Sequence, residues 1–404
     1  MDVRALFLCL LLALSACGST STSETPQTKA EDDCDDAAIS NQKIIRWKDG
    51  RLTKHKLSLN QHEKFERFVK NNKDKIKYIE NDFKISKPLP GTISLLSWGG
   101  YANWGVDSIA AKTLWDQNIF GKDVLVAIID SGIDTQHPQL INQLYINPKE
   151  TENGIDDDGN GLIDDIHGYD FPNQSGALYD GSGHGTHVSG IVAAEHSSGS
   201  IKGVAPQAKL IAFDFFADDG SGSVFDALAA ILAAELAGAR IINASWGGPS
   251  CSRSLRESLD ELSQKDILFV TAAGNESLNI DREPMYPAAF SAGSQITVGA
   301  MTADGATAGF SNYGRLVHLV APGADILSTY PLPDLTAVEH GTSMAAPFVS
   351  GAAALLWSAF PQASAKQIKQ ALITSVQPGP FPVLSRGALD VAAAHEALQK
   401  LMSR

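Results

Sequence analysis

The stretch "VLVAIID", residues 124–130, is a continuous apolar run that ends in an aspartate. A strand that is apolar on both faces is typical of a parallel sheet covered by helices on both sides. Four later runs share this pattern: 209–216, 240–245, 267–274 and 295–300. Helical patterns lie between and after them, at 224–238, 255–265, 364–375 and 391–402. The alternation predicts an α/β fold in which a mostly parallel sheet lies between helices.

The distribution of charge divides the chain into two parts. The formal net charge of the 404 residues is −14, and no basic cluster with interleaved aromatic residues occurs, which argues against a nucleic-acid-binding protein. Residues 40–88 hold 14 Lys and Arg against 6 Asp and Glu, whereas residues 89–404 hold 16 against 33. We therefore expect the two segments to attract each other.

The first 16 residues predict an export signal. The apolar run from Ala5 to Ala16 is too short to span a bilayer as a mature helix and suits a signal-peptide core. It is followed by Cys17, and Leu14-Ser15-Ala16-Cys17 resembles the lipobox of bacterial lipoproteins, in which Cys17 becomes lipidated. The alternative is an ordinary secretory signal. Both interpretations predict export, and the lipobox predicts a cell-envelope lipoprotein, in the outer membrane if the host has two membranes.

Four segments are predicted after the signal. Residues 17–40 are rich in Ser, Thr, Asp and Glu and predict a disordered tether. Residues 41–90 predict a small strand–helix–strand domain, which is too short to bury much core alone. The stretch "KPLPG" at 87–91 breaks the chain, residues 91–103 predict a linker with a processing site, and residues 104–404 predict one large domain.

Two cysteines remain once the signal is removed and Cys17 is lipidated. They are Cys34 in the tether and Cys251 in the large domain. Two isolated cysteines do not make a disulfide framework. We expect two thiols with separate fates rather than a bond between them.

Candidate catalytic groups lie where strands end and helices begin. Functional groups in open parallel sheets gather at the carboxyl ends of strands, and Asp130 follows directly after one. Taken alone, Asp130 could be a turn residue. Ser343 precedes a long helical pattern whose Pro347 is predicted to fall in the first turn. Backbone N–H groups and the helix dipole there favour an oxyanion, which a serine nucleophile requires.

The stretch "GSGHGTHVSG", residues 181–190, contains two histidines that could bind a metal or supply a base. The zinc motif HExxH has its ligands four positions apart with a glutamate between them, whereas His184 and His187 are three apart, so a zinc site is disfavoured. No G-x-S-x-G sequence occurs, which disfavours an α/β-hydrolase. We interpret His184 as a base and His187 as a buried neighbour that supports it.

The three motifs together resemble a known family. "DSGID" (130–134), "GHGTHVSG" (183–190) and "GTSMAAP" (341–347), in the order Asp, His, Ser, resemble the active-site signatures of the subtilisin-like serine proteases, or subtilases. The resemblance extends from about Trp104 to Leu401. It implies a three-layer subtilisin-like fold and a serine endopeptidase without a catalytic metal.

The same resemblance assigns roles to four residues. Asp130 would orient and stabilise the imidazole, His184 would act as general base and acid, and Ser343 would attack the peptide carbonyl. Asn275, in "TAAGNES" (271–277), would donate its side-chain amide to the oxyanion together with the Ser343 N–H. The rival interpretation is a catalytically silent relative that binds peptides.

Two further stretches resemble the substrate cleft of the family. The edge segment "ASWGGPS" (244–250) would pair with an extended substrate, and "AAG" would form the opposite wall of the main specificity pocket. The candidate substrate-binding residues are Ser245, Trp246, Gly247, Gly248, Ala272, Ala273 and Gly274, with Met285 near the pocket floor. Backbone pairing predicts broad selectivity. Separately, we expect a large apolar or aromatic residue before the scissile bond.

An acidic stretch at 153–171 predicts structural Ca²⁺. Its candidate ligands are Asp156, Asp158, Asn160 and Asp164, which approximate an EF-hand-type loop, although His167 stands where an acid is expected. The alternative is a solvated acidic turn. A second loop, residues 196–203, resembles a calcium-binding segment of some subtilases, but Ser197 occupies its usual amide-bearing position.

Residues 41–90 resemble the inhibitory, folding-assisting propeptide of subtilases, with "YIEND" (78–82) near the end. The resemblance implies a monomeric, self-processing zymogen in which the prosegment is an intramolecular inhibitor and is cut within residues 87–103. Because that cut separates the enzyme from its lipid anchor, release from the membrane into the medium is expected after processing.

Overall fold

The computed structural model describes residues 38–58, 61–86, 103–197, 199–217, 219–332 and 335–403. The predicted signal peptide, Cys17, Cys34 and residues 91–102 of the predicted linker lie outside those ranges. Among the helices within them, none combines the length and apolar character that a membrane span requires.

The elements of secondary structure, in chain order, are β1 (Ala38–Trp47), β2 (Leu52–Lys56), α1 (His62–Asn71), β3 (Ile76–Ser86), α2 (Trp104–Ser108), α3 (Lys112–Trp115), β4 (Leu125–Asp130), β5 (Gly168–Asp170), α4 (His184–Ala193), β6 (Lys209–Asp214), β7 (Ser221–Ser223), α5 (Val224–Leu236), β8 (Ile241–Ala244), α6 (Arg253–Gln264), β9 (Leu268–Ala272), β10 (Gln295–Met301), β11 (Leu319–Pro322), β12 (Ile326–Thr329), β13 (Thr336–Glu339), α7 (Thr342–Ala359), α8 (Ala365–Thr374), β14 (Gln377–Pro378), β15 (Gly387–Ala388) and α9 (Val391–Met402).

The central sheet confirms the predicted α/β class. Its strand order is β14-β15-β11-β10-β9-β8-β4-β6-β5, and the pairs from β15 to β5 are parallel. Side chains of β4 alternate between two hydrophobic cores, because successive residues of a strand point to opposite faces. Val126 and Ile128 pack in the core with α4 and α7, whereas Ala127 and Ile129 pack in the core with α5 and α6.

Residues 38–86 form an antiparallel sheet of order β2-β1-β3 with α1 beside it. Strand β2 was not predicted, because "LTKHK" lacks the apolar run that marked the other strands. Strand β1 begins at Ala38, so positions 38–40 of the predicted tether belong to a strand. The sheet gains a fourth strand, β7, from the large domain, which extends its hydrogen bonding beyond the small domain.

Cys251 is disulfide-bonded, which contradicts the expectation of two separate thiols. It lies directly before the N-cap residue of α6, Ser252, at the end of the segment that follows β8. The other three cysteines of the chain lie outside the described ranges. The cysteine spacing does not predict this bond.

Candidate active site

Asp130 and His184 meet at the carboxyl end of β4. His184 Nδ1 lies 2.7 Å from Asp130 Oδ1, and the two residues are 3% and 1% exposed. This contact requires the start of α4 to approach the turn after β4 very closely. A Cβ on Gly185 would lie 2.1 Å from the carbonyl oxygen of Gly132, so only glycine permits the approach. The strand end supplies the acid and the helix start supplies the imidazole.

His187 lies one turn further along α4 and is fully buried. Its Nε2 lies 3.0 Å from Ile326 O and 3.1 Å from Ala337 O, so it donates to the hairpin of β12 and β13. Burial lowers the pKa of His187, which keeps the ring neutral. The residue therefore ties α4 to the hairpin, which is the supporting contact expected for it.

Ser343 lies in the first turn of α7 and is 2% exposed. Its Oγ donates to Ser245 O at 3.1 Å, and its own carbonyl accepts from Ser245 Oγ at 2.8 Å. Pro347 is the sixth residue of α7 rather than a first-turn residue, which corrects the prediction. A proline there removes the N–H that would bond to the carbonyl of Ser343. That carbonyl is left available for Ser245.

Asn275 follows β9 and faces the start of α7. Its Oδ1 accepts from Thr342 N at 2.8 Å and from Thr342 Oγ1 at 2.9 Å, which orients the amide nitrogen away from Thr342. A point at the Cβ position of Gly341 would lie 3.3 Å from Asn275 Nδ2 and 3.5 Å from Ser343 N. The amide nitrogen of Asn275 and the backbone nitrogen of Ser343 thus lie beside the same point.

A cavity of about 500 Å³ opens beside Ser343. All seven predicted substrate-binding residues line it, and so does Met285. The predicted substrate-binding role of Trp246 does not fit its side chain, which faces the core. The residue is 2% exposed, and its indole N–H donates to Ile129 O at 2.9 Å. It packs against Phe215, so it supports the cleft from the core.

Other lining residues were not identified from the sequence. They are Lys84, Pro249, Glu276, Tyr286, Ala288, Phe310, His340 and Thr342. Pro249, Glu276 and Thr342 lie within stretches that the sequence singled out, and His340 directly precedes one of them. The other four come from parts of the chain that no local pattern marks, since their meeting depends on the tertiary fold.

The acidic loop arranges its carboxylates differently from the predicted calcium set. Glu150, Asp158 and Asp165 bring one oxygen each within 4.8 Å of one another, and only Asp158 was predicted. Burial raises the pKa of Asp165 to about 6.

The other predicted ligands of that loop do not join this group. Both sets accept from protein N–H groups, as Glu150 does from those of residues 157, 158 and 164. Asp156 accepts from the backbone N–H groups of residues 159–161. Asp164 accepts from those of 153 and 154, and Asn160 Nδ2 donates to Asp165 at 3.0 Å. The EF-hand-type spacing therefore describes turns that shape the loop, rather than the group of converging carboxylates.

The second candidate calcium loop is held by a side-chain amide. Gln139 Nε2 donates to Glu195 O and to Ile201 O, each at 2.8 Å, and His196 Nε2 lies 2.9 Å from Gly203 O. The carbonyl groups of Ile201 and Gly203 are thus bonded to protein N–H groups.

Known proteins similar to this chain were found by sequence comparison. The family described as "Subtilase family" matches residues 121–394. The chain is 38% identical over 257 residues to the major intracellular serine protease of Bacillus subtilis (strain 168), covering 63% of this chain and 74% of that one. It is 34% identical over 293 residues to subtilisin DY of Bacillus licheniformis, covering 72% and 97%. An alkaline protease of Alkalihalobacillus alcalophilus is 31% identical over 320 residues, covering 79% and 74%.

Proposed function

The chain belongs to the subtilase family and is a serine endopeptidase, and we propose that Asp130, His184 and Ser343 are its catalytic triad. The observation that carries the proposal is the buried bond of 2.7 Å between His184 Nδ1 and Asp130 Oδ1. It fixes the tautomer in which Nε2 can accept a proton.

We assign the steps of peptide hydrolysis to these residues. Ser343 Oγ attacks the carbonyl carbon of the peptide while its proton passes to His184 Nε2, and the Asp130 carboxylate stabilises the imidazolium. The oxyanion accepts hydrogen bonds from Ser343 N–H and Asn275 Nδ2. The amine then leaves with the proton from His184, and an acyl-enzyme remains. Water attacks the ester with His184 as base, which releases the acid and restores the serine.

Substitution tests these roles. Ser343→Ala and His184→Ala are expected to abolish both turnover and self-processing, whereas His187→Ala is expected to weaken activity by loosening α4 from the hairpin. A correctly processed Ser343→Ala chain, in a preparation without another protease, would contradict self-cleavage.

We propose broad selectivity with a preference for a large apolar residue before the scissile bond. Ser245 and Gly247 lie at the cleft edge, where their backbone can pair with an extended substrate, and backbone pairing reads little side-chain identity. Gly248 departs from its predicted role, because its N–H and C=O already bond to Tyr286 at 2.8 and 2.7 Å. The cavity beside Ser343 has apolar residues such as Met285 and Phe310 in its wall. A peptide-library cleavage profile would test this, and equal cleavage after charged residues would contradict it.

We propose that residues 41–90 are an inhibitory prosegment. Strand β3 pairs antiparallel with β7, with Ile85 opposite Gly222 and Ser86 opposite Ser221. Lys84 lines the cavity beside Ser343. The strand therefore lies at the edge of the cleft where a substrate would run, and its chain continues from there into the segment expected to be cut.

Charged side chains bind the prosegment to the large domain. Lys54 pairs with Asp226 at 2.8 Å and Lys77 with Glu257 at 2.9 Å, and Arg46 pairs with Glu261. These contacts supply the attraction between a basic and an acidic segment that the sequence predicted. Each exposed pair contributes modestly, so docking should weaken as salt is added.

We propose that Glu150, Asp158 and Asp165 hold a structural Ca²⁺. Oxygen donors suit this cation, and three neighbouring carboxylates repel one another without a positive charge. In Ser343→Ala protein, EDTA should lower the melting temperature, and Glu150→Gln should remove that sensitivity. Glu152→Gln, at an exposed position in the same loop, is the control. An EDTA effect unchanged in Glu150→Gln would contradict the assignment.

We propose that the protein is exported as a lipoprotein anchored through Cys17. Because Cys251 is disulfide-bonded, we expect the enzyme to stay joined to the anchored segment after processing, rather than to be released from the membrane. Cys9, Cys17 and Cys34 all precede residue 87, so a cut within 87–103 leaves an intrachain disulfide of Cys251 joining the two pieces. The processed protein should therefore migrate as one species without reductant and as two with it. Two separate species without reductant would contradict a disulfide that joins the two pieces.

A further inference from the structure

Asp180 is a buried carboxylate for which the proposed reaction has no use. It lies just before α4 and is 2% exposed. Its oxygens accept from Gly183 N at 2.8 Å, from Thr186 N at 2.7 Å and from Thr186 Oγ1 at 2.7 Å. Helix α4 begins at His184 after Gly183, which has no side chain to cap it. Asp180 therefore satisfies the first N–H groups of the helix that carries His184.

The same carboxylate bonds to the residue that follows the strand carrying Asp130. Ser131 Oγ donates to Asp180 Oδ1 at 3.0 Å, and Ser131 N donates to Asp130 Oδ1 at 2.8 Å. Gly185 N donates to Ser131 Oγ at 3.1 Å. A continuous series of hydrogen bonds thus runs from Asp130 through Ser131 and Asp180 to both sides of His184.

We propose that Asp180 is a positioning residue that fixes the start of α4 against the end of β4 and so holds His184 at bonding distance from Asp130. The proposal rests on the triad proposed above. The local backbone needs such a constraint, because Gly183 has a left-handed φ of 80° and glycine allows many other conformations. A displacement of about 1 Å in a catalytic group can cost about a hundredfold in rate.

Asparagine cannot replace Asp180 in this network. Both carboxylate oxygens accept hydrogen bonds: Oδ1 from Ser131 and Gly183, and Oδ2 from Thr186. An amide has one oxygen, and its NH₂ group would oppose N–H donors on the other side. Asp180→Asn therefore breaks the hydrogen bonds on one side of the bridge between β4 and α4, while the side chain keeps its shape.

Asp170 provides a matched control. It is also a buried carboxylate, 5% exposed, and it lies at the carboxyl end of β5, a strand of the same sheet. Its oxygens accept from Asn173 N and Asn173 Nδ2, each at 2.9 Å, within its own loop. Asp170→Asn thus perturbs a buried acid near the site without touching the bridge between β4 and α4.

The test is a comparison of steady-state kinetics on a peptide substrate. Each full-length chain is processed, with wild-type enzyme added where self-cleavage stalls and then removed, and folding is checked by circular dichroism. Asp180→Asn should lower kcat about a hundredfold with KM within about threefold of wild type, because binding residues stay in place. Asp170→Asn should change both constants by less than about threefold.

Retention of wild-type kcat in folded Asp180→Asn, or an equal loss in Asp170→Asn, would overturn the proposal. If Asp180→Asn does not fold, Ser131→Ala breaks the same bridge with a smaller change. It should lower kcat about tenfold at constant KM, and an unchanged kcat would overturn the proposal. A wild-type chain without peptidase activity would refute the triad instead, so the two failures are distinguishable.

Discussion

The carbonyl oxygen of Ser343 accepts a hydrogen bond of 2.8 Å from the hydroxyl of Ser245. Pro347 removes the helical donor that would otherwise occupy this carbonyl. The bond joins the backbone of the proposed nucleophile to the cleft edge, because Ser245 lies directly after β8. Asn243 Nδ2 donates to the same hydroxyl at 3.0 Å, so the serine satisfies two buried groups.

Ser245→Ala should therefore destabilise the protein. Both the Ser343 carbonyl and the Asn243 amide would lose a partner in the core, which costs about 1–3 kcal/mol each. Ser189→Ala is the matched control, since Ser189 Oγ is buried and has no hydrogen-bond partner among the described residues. Thermal unfolding in a Ser343→Ala background should show a lower melting temperature only for Ser245→Ala. Equal melting temperatures for the two variants would contradict the role of this bond.

Asn275→Ala should lower kcat by about 10²–10³-fold, the range known for removal of one oxyanion donor. KM should change little, because the amide acts on charge that develops in the transition state. Asn279→Ala, in the loop after Asn275, is a control for loss of an amide in this region. A kcat for Asn275→Ala within threefold of wild type would show that this amide does not face the oxyanion.

Glu80→Ala should shorten the lag before activity appears after processing. Glu80 accepts from Ser252 Oγ, Arg253 N and Ser254 N at the start of α6, so it caps a helix of the large domain from the proposed prosegment. Loss of this cap should speed prosegment release several-fold, whereas Glu66→Ala on exposed α1 should not. The measurement is a time course of peptidase activity. An unchanged lag in Glu80→Ala would mean that this contact does not retain the prosegment.

Asp214→Asn should make stability less dependent on pH. Burial raises the pKa of Asp214 to about 8, well above the value of about 3.9 in an unfolded chain. Its contribution to the free energy of unfolding is therefore fully present below about pH 4 and is lost as pH rises towards 8. Asparagine keeps the neutral form and can still accept from Phe216 N.

The melting temperatures of Asp214→Asn and of its parent should thus diverge as pH rises. In a Ser343→Ala background, the melting temperature of Asp214→Asn should gain roughly 3–6 °C on its parent between pH 5 and pH 8. Asp123→Asn, at an exposed position, should track the parent. A constant difference for Asp214→Asn across this range would contradict the raised pKa.

The parallel sheet and the candidate triad were predictable because their signals are local. Each buried strand reads as an apolar run, and Asp130, His184 and Ser343 lie in short motifs at a strand end or helix start. The cluster of three carboxylates in the acidic loop was not predictable in the same way. Glu150 precedes the repeating acidic pattern, and only folding brings it to Asp158 and Asp165.

Other features depend on long-range contacts that leave no local pattern. The indole of Trp246 points into the core because Ile129 O needs a donor there. Gln139 is 56 and 62 residues away from the two carbonyl groups that it binds. Pro347 was placed a turn too early because the sequence does not show where α7 begins.

The most direct test of the triad is covalent labelling of the processed enzyme with a fluorophosphonate, followed by peptide mass spectrometry. Attack by an activated serine should place the adduct on Ser343, with labelling lost in Ser343→Ala and strongly slowed in His184→Ala. A folded, processed chain that remains unlabelled, or that carries the adduct on another serine, would contradict the account and favour a catalytically silent peptide-binding relative.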